Sequence, residues 1–436
     1  MKFSRFLPLL LWSAVCVGIS ASQAAESLVP QNKSDEPPTS WIDPDTGHRV
    51  IRLTREPGSA SLYFNENAYT PDGHRMIYTT PDGISVIDLN TFQTRRVVEG
   101  RVRAIIMGHK TPTVFYLKSV SEDRPRERSL YSTNIDTGET KKLADLPPRG
   151  GIAAVNADET FAAGTYIEGD SGQDYNERPR TEGNQDASQG HSLDQPKNKG
   201  QMMEERLAAR LPIVLFTVDL RSGKINPILH STDWVNHLLF SPTDPNLLMY
   251  CHEGPWHKVD RIWTIRTDGS QNTLIHKRTM VREIAGHEFF SHDGKTVWYD
   301  LQTPRGEVFW VGGYNLGTGA RTWFNLQRNE WSIHFNVSPD GKLFCGDGGD
   351  SSQVAKAPDG RWIYLFRPEL VNDSDTLGDK LIRAGVFRSE RLVNMSKHDY
   401  KLEPNVSFTP DQKYIIFRSN MFGPTYVFAV EVARAK

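Results

Sequence analysis

The chain has 436 residues, 38% apolar and 24% charged, enough to bury one large core or two to three small ones and too apolar for global disorder. With 51 Lys plus Arg against 53 Asp plus Glu, the formal net charge of -2 removes the electrostatic case for a nucleic-acid partner. Its 34 Gly and 26 Pro, with 10% aromatics, favour many short strands joined by turns, an all-β composition.

Lys2 and Arg5 precede an apolar run from Phe6 to Val17, and Ser22-Gln23-Ala24 offers small residues at a cleavage point. Residues 1–24 are therefore expected to be a secretory signal peptide, and the mature chain 25–436 to be periplasmic or secreted. The run is too short to span a bilayer, and no later segment approaches the roughly 20 apolar residues of a membrane helix. Loss of Lys2 and Arg5 leaves 49 basic against 53 acidic residues, a formal -4. Cys16 leaves with the signal, while Cys251 and Cys345 sit in separate apolar runs and are expected as buried thiols.

A turn signal then recurs: Thr70-Pro71-Asp72-Gly73, Ser241-Pro242-Thr243-Asp244, Ser291-His292-Asp293-Gly294, Ser338-Pro339-Asp340-Gly341 and Thr409-Pro410-Asp411-Gln412. Each precedes a strand-like run such as Met76-Ile77-Tyr78 or Tyr414-Ile415-Ile416-Phe417. Degraded copies at Lys110 to Tyr116 and Ala157 to Tyr166 raise the count to seven units, at spacings of 47, 50 and three times 57 residues. That period predicts a seven-bladed β-propeller. Asp88-Leu89-Asn90-Thr91, Asn134 to Gly138, Val218 to Gly223 and Tyr314 to Gly319 are expected to join the outer two strands of a blade, and His48 to Leu53 to complete the last blade. The polar stretch from about 168 to 206 breaks the rhythm; it is expected to be a solvated surface insertion or a lid, with a short helix over 201–210. The 71 residues from Ser338 to Thr409 imply a second insertion.

No Gly-x-Ser-x-Gly elbow, P-loop or dinucleotide fingerprint is present. His252 to His257 does not form a zinc-peptidase motif, because its histidines are five apart and Gly254-Pro255 would break the helix. Instead, polar residues cluster beyond the ends of the inner strands: His252 and Glu253, His287 and Glu288, His334, Glu403 and Asn405. His237, His287, His334 and Asn405 share one register, four residues before the turn Ser or Thr, so they are expected to converge on the propeller axis. Such a set suits a divalent cation of the Mn, Zn or Ca type, or a plain hydrogen-bonded network.

Cys251-His252-Glu253-Gly254-Pro255, Gly286-His287-Glu288-Phe289, Gly346-Asp347-Gly348 and Ser407-Phe408-Thr409-Pro410-Asp411 resemble the oligogalacturonate lyases of polysaccharide lyase family 22, and the similarity spans nearly the whole mature chain. The resemblance implies a seven-bladed propeller that cleaves short pectic oligogalacturonides by β-elimination, giving 4,5-unsaturated uronates. It places His287 on the base and Arg261 on the arginine that neutralises the substrate carboxylate; His252, Glu253 and His237 are expected to bind substrate. His334 matches a metal-binding histidine, with Mn foremost as the implied divalent metal. Where better-known members carry Gln-x-x-His-x-His, this chain has Tyr400 to Asn405, so Glu403 and Asn405 are the expected oxygen ligands, with His398 near enough to substitute. The competing expectations are a lyase for another uronate oligosaccharide and a non-catalytic binding or scaffold propeller.

Overall fold

The computed structural model describes residues 36–121, 124–169, 199–371 and 381–435. The signal read at residues 1–24 lies outside the described residues, as does most of the insertion at 168–206, of which 168, 169 and 199–206 are described. Every described strand belongs to the compact unit Pro38–Lys436.

The described chain is almost wholly β, arranged as consecutive antiparallel meanders. The first sheet comprises Arg75–Thr80, Gly83–Asp88 and Thr94–Glu99, and the second Arg103–Met107, Thr113–Ser121, Arg124–Asn134 and Thr140–Asp145. The third comprises Gly151–Val155, Phe161–Ile167, Ile213–Asp219 and Ile225–Ser231; the fourth comprises Trp234–Phe240, Leu247–Glu253, Ile262–Arg266 and Thr273–Leu274. Next comes an eight-stranded sheet built of two meanders, Ile284–Phe290 to Arg321–Leu326 and Phe335–Val337 to Ile382–Asn394, fused by parallel pairing of Arg321–Leu326 with Ile382–Asn394. In the last sheet His48–Arg52 pairs with Tyr426–Arg434, as expected of a closing strand. First strands of successive meanders touch one another: Arg103–Met107 meets Gly151–Val155, which meets Trp234–Phe240, and Phe335–Val337 meets Ser407–Phe408. The arrangement is propeller-like.

The recurrent turn signal has a simple local cause. Hydroxyls of Thr70, Ser291, Ser338 and Thr409 donate to Asp72, Asp293, Asp340 and Asp411 at 2.6, 2.6, 2.8 and 2.7 Å, and each carboxylate also accepts the backbone N–H two residues on. At Ser291, Ser338 and Thr409 this closes the tight link between the first and second strands of a meander; at Thr70 it leads into Arg75–Thr80, whose Met76 bridges back to Tyr69. The strands it joins are buried on both faces; Met76, Ile77, Val297, Ile415 and Ile416 are almost fully enclosed. The core lies between neighbouring sheets. Ile416, Val427 and Ala429 of the last sheet share one apolar cluster with Met76, Ile77 and Val86 of the first, so the two ends of the unit are sealed together. Cys251 and Cys345 are buried free thiols. The helix spans Lys199–Ala209, and no helix among the described residues is long and apolar enough to cross a membrane.

Candidate active site

His237 and His287 occupy equivalent places in adjacent meanders. Each sits where the register of its first strand slips, between Asn236 and Leu239 or between Gly286 and Phe289, and each has a φ of 48°. Asn405, in the same sequence register, has a φ of 56°. A left-handed residue other than glycine costs about 1–3 kcal/mol and persists where the surroundings dictate it. The bulge turns the side chain out of the strand's alternation. His334, the fourth member of the register, precedes the unbulged strand Phe335–Val337 and is fully buried.

His287 Nδ1 donates to Asp300 Oδ1 at 3.1 Å, which fixes the tautomer and leaves Nε2 with its lone pair. The ring is 33% exposed, so that lone pair is reachable, whereas Asp300 is buried. Asp300 stands opposite Gly286 in the strand pairing. A Cβ on Gly286 would come within 3.2 Å of Asp300 Oδ1 and 3.8 Å of Arg261 Nε, so a glycine here lets both groups approach the base.

Arg261 is buried, with Nη1 3.4 Å from Glu253 Oε1 and Nε without a hydrogen-bond partner among the described residues. Burial opposes its charge, but the carboxylates of Glu253, Glu288 and Asp300 hold it firmly as a cation. Burial, in turn, pushes the Cys251 thiol well above its ordinary range. His237 Nε2 lies 2.8 Å from Glu253 Oε2. Thus Arg261, Glu253, Glu288, Asp300 and the two left-handed histidines form one polar group. His252 is separate: strand alternation turns it away from Glu253, and its Nε2 lies 2.9 Å from Asp233, which also pairs with Arg210. Burial lowers the His252 pKa, Asp233 counteracting.

His334 joins this group edge-on, its ring centroid 4.9 Å from that of His287. Asp347 organises its surroundings. One carboxylate oxygen accepts the His334 backbone N–H at 2.8 Å; the other accepts His334 Nδ1–H at 2.8 Å and the Asn405 backbone N–H at 3.2 Å. His334 Nε2 then faces Tyr63 Oη at 3.2 Å and Glu403 Oε2 at 3.6 Å. Burial pulls the His334 pKa down, but Asp347 and Glu403 outweigh it and raise it. The Asn405 amide donates to the Glu403 carbonyl at 3.2 Å, while its Oδ1 is buried without a partner among the described residues.

A histidine locked through Nδ1 by a carboxylate, a nearby carboxylate and an orphaned amide oxygen together make a donor set that suits a hard divalent cation. Among the described residues, however, no three His, Cys, Asp or Glu side chains are grouped for a metal, so the set depends on the amide. His398 is not part of it, because Ser419 Oγ at 2.9 Å and the Leu402 carbonyl at 2.7 Å occupy both its nitrogens.

The structure therefore brings together His287, Arg261, Glu253 and His237, sets His334, Glu403 and Asn405 beside them, and places His252 on another face. Sequence reasoning missed Asp300, Tyr63 and the organising role of Asp347. Asp347 stands at the centre of the Gly346-Asp347-Gly348 motif, but Asp300 and Tyr63 lie in ordinary strand-like and loop contexts that carry no signal.

A family model described as oligogalacturonate lyase matches residues 195–435. Two curated relatives are similar over most of their length: an oligogalacturonate lyase of Dickeya dadantii, 24% identical over 90% of this chain and 95% of its own, and an oligogalacturonide lyase of Pectobacterium atrosepticum, 23% identical over 90% and 95%. Among solved structures, an oligogalacturonate lyase in complex with manganese matches with a TM-score of 0.70 at 21% identity, covering 90% of this chain and 96% of that one. The oligogalacturonate lyase of Vibrio parahaemolyticus gives 0.70 at 20% identity over the same shares.

Proposed function

The chain belongs to the oligogalacturonate lyase family and is a polysaccharide lyase, and from that premise we propose that it cleaves oligogalacturonides by β-elimination with His287 as the base. The supporting observation is the His287–Asp300 pair at 3.1 Å, a partly exposed imidazole whose free nitrogen is Nε2. The C5 proton of a uronate is weakly acidic, so its removal needs a positioned base and positive charge near the carboxylate that takes up the developing enolate charge. Asp300 holds the ring and stabilises it once protonated. Arg261, kept cationic by the carboxylates around it, contributes positive charge beneath the same site.

His334, Glu403 and Asn405 would hold a divalent cation, with manganese the first candidate because a structurally similar lyase was solved with it. Such an ion, when bound, supplies further positive charge toward the substrate carboxylate. Asp347 prepares the place by orienting His334 and Asn405. Glu253 and His237 border the reacting sugar, whereas His252, tied to Asp233, supports the neighbouring loop. With the eight-stranded sheet counted as two blades, the unit is a seven-bladed propeller, and the features of residues 1–24 support a periplasmic or secreted enzyme.

The test is ultraviolet absorbance of the conjugated product as the purified protein is incubated with di- and trigalacturonate, with and without chelator, then with Mn added back. A rise that falls with chelator and returns with Mn is expected. His287→Ala should abolish it while leaving the circular dichroism unchanged. No rise would overturn the substrate class; a rise indifferent to chelator would overturn the metal's role; an active His287→Ala would remove the base.

A further inference from the structure

We propose that His237 is the proton donor to the leaving group, acting from the opposite side of the scissile uronate to His287; the inference rests on the lyase reading. In a galacturonate ring in its ordinary chair, the C5 hydrogen and the C4 oxygen are trans-diaxial. A base that removes the C5 proton therefore stands on one face of the sugar, and the departing oxygen leaves from the other. His287 cannot return its proton to O4. The reaction needs a second group, because an alkoxide is a poor leaving group without one.

His237 matches His287 in its backbone but faces its carboxylate through the other ring nitrogen, Nε2, which leaves Nδ1 for a substrate. It sits in the same bulge of the adjacent meander with the same φ of 48°, is 28% exposed on its side chain against 33% for His287, and has a buried carboxylate, Glu253, 2.8 Å from Nε2. The two pairs share a base: Arg261 Nη1 lies 3.4 Å from Glu253, and Arg261 Nε borders Gly286, opposite Asp300. Three buried carboxylates, Glu253, Glu288 and Asp300, surround this single guanidinium. Glu253, set between Arg261 and His237, gives the His237 ring a buried carboxylate partner, as Asp300 does for His287. Tyr63 links the two regions, its ring centroid 6.3 Å from that of His237 and 5.1 Å from that of His334, whose ring lies 4.9 Å from His287.

In the step, His287 Nε2 takes the C5 proton and the electron pair of the C5–H bond becomes the C4=C5 double bond through the enolate. The C4–O4 bond breaks, and O4 takes the Nδ1 proton of the His237 imidazolium, whose Nε2 stays on Glu253. Solvent then deprotonates His287 and reprotonates His237, so no other reactant is consumed.

Leaving-group dependence tests this. His237→Gln, His287→Gln and Tyr63→Phe are compared on trigalacturonate, whose leaving group is an alkoxide, and on a galacturonoside bearing a 4-nitrophenyl ether at O4, whose leaving group is a stable phenolate. Exchange of the C5 hydrogen in deuterated water is followed by mass spectrometry. For His237→Gln, a loss of roughly 10²- to 10⁴-fold on trigalacturonate is expected, with the aryl ether within about tenfold of the parent and C5 exchange retained. His287→Gln should lose both substrates and the exchange. Equal losses of His237→Gln on the two substrates, or none on trigalacturonate, would overturn the proposal, as would the discriminating pattern in Tyr63→Phe instead. If the parent protein turns over neither substrate, the lyase reading itself fails, a result distinct from all of these.

Discussion

Two left-handed histidines are held in place by buried carboxylates on neighbouring strands, so a small change behind the ring should be felt at the reacting nitrogen. Asp300→Asn tests this most directly, because it preserves volume while replacing an acceptor by a group that can donate. An amide N–H facing His287 Nδ1 selects the opposite tautomer and puts the proton on Nε2, where the base needs a lone pair. The expected result is a kcat about 10²-fold lower with KM within a few-fold of the parent, measured by steady-state product absorbance; a large KM change with kcat intact would assign Asp300 to substrate binding instead. The shared register of His237, His287 and Asn405 was legible because the turn hydroxyls fix a reference point in the sequence. The φ values were not, since a bulge is set by cross-strand pairing. Asp300 was hidden for the same reason: it becomes the partner of His287 only through its place opposite Gly286.

At the scale of single elements, Lys199–Ala209 shows what an insertion can do once it packs. Met202 and Met203 are buried, Arg206 stacks its guanidinium 3.6 Å from the centroid of Trp234, and Glu204 pairs with Lys258 at 2.7 Å. The helix is thereby fastened to the strand carrying His237 and to the loop after Glu253. Its existence was legible from composition, with the helix expected at 201–210 and found two residues earlier at its start. Its docking was not, because Trp234 and Lys258 lie far along the chain and give no local sign of their partners. Cation–π contacts at desolvated sites are worth about 2 kcal/mol. Arg206→Ala should therefore lower hydrogen-exchange protection in 199–209 by roughly tenfold or more while the strands keep theirs. Uniform loss across the sheets would instead make the helix part of the global folding unit.

For the whole molecule, the closing strand His48–Arg52 and the succession of meanders followed from periodic turns, whereas the parallel fusion of Arg321–Leu326 with Ile382–Asn394 depends on a contact too distant in sequence to leave a pattern. Acid sensitivity also belongs to this scale, because it reflects what folding does to buried imidazoles. His398 is buried with its pKa pushed down to about 4, mainly by burial, and it donates Nε2–H to the Leu402 carbonyl while Ser419 faces Nδ1. Burial also lowers His109 and His292. A histidine with a depressed folded pKa binds its proton more readily in the unfolded chain. Its stabilisation is complete above the unfolded value near 6.5 and is lost as the pH falls from there towards the folded value near 4. For His398 alone the loss amounts to about 2 kcal/mol at pH 5 and about 3 kcal/mol at and below pH 4. Urea melts at a series of pH values should show the midpoint falling below pH 6.5, before most carboxylates titrate. In His398→Gln, which carries no titrating group, the fall between pH 6.5 and 5 should shrink by about 1.5 kcal/mol, even though the variant is less stable at neutral pH. An unchanged slope in that variant would place the acid sensitivity in His109, His292 and the paired carboxylates instead of beneath the last sheet.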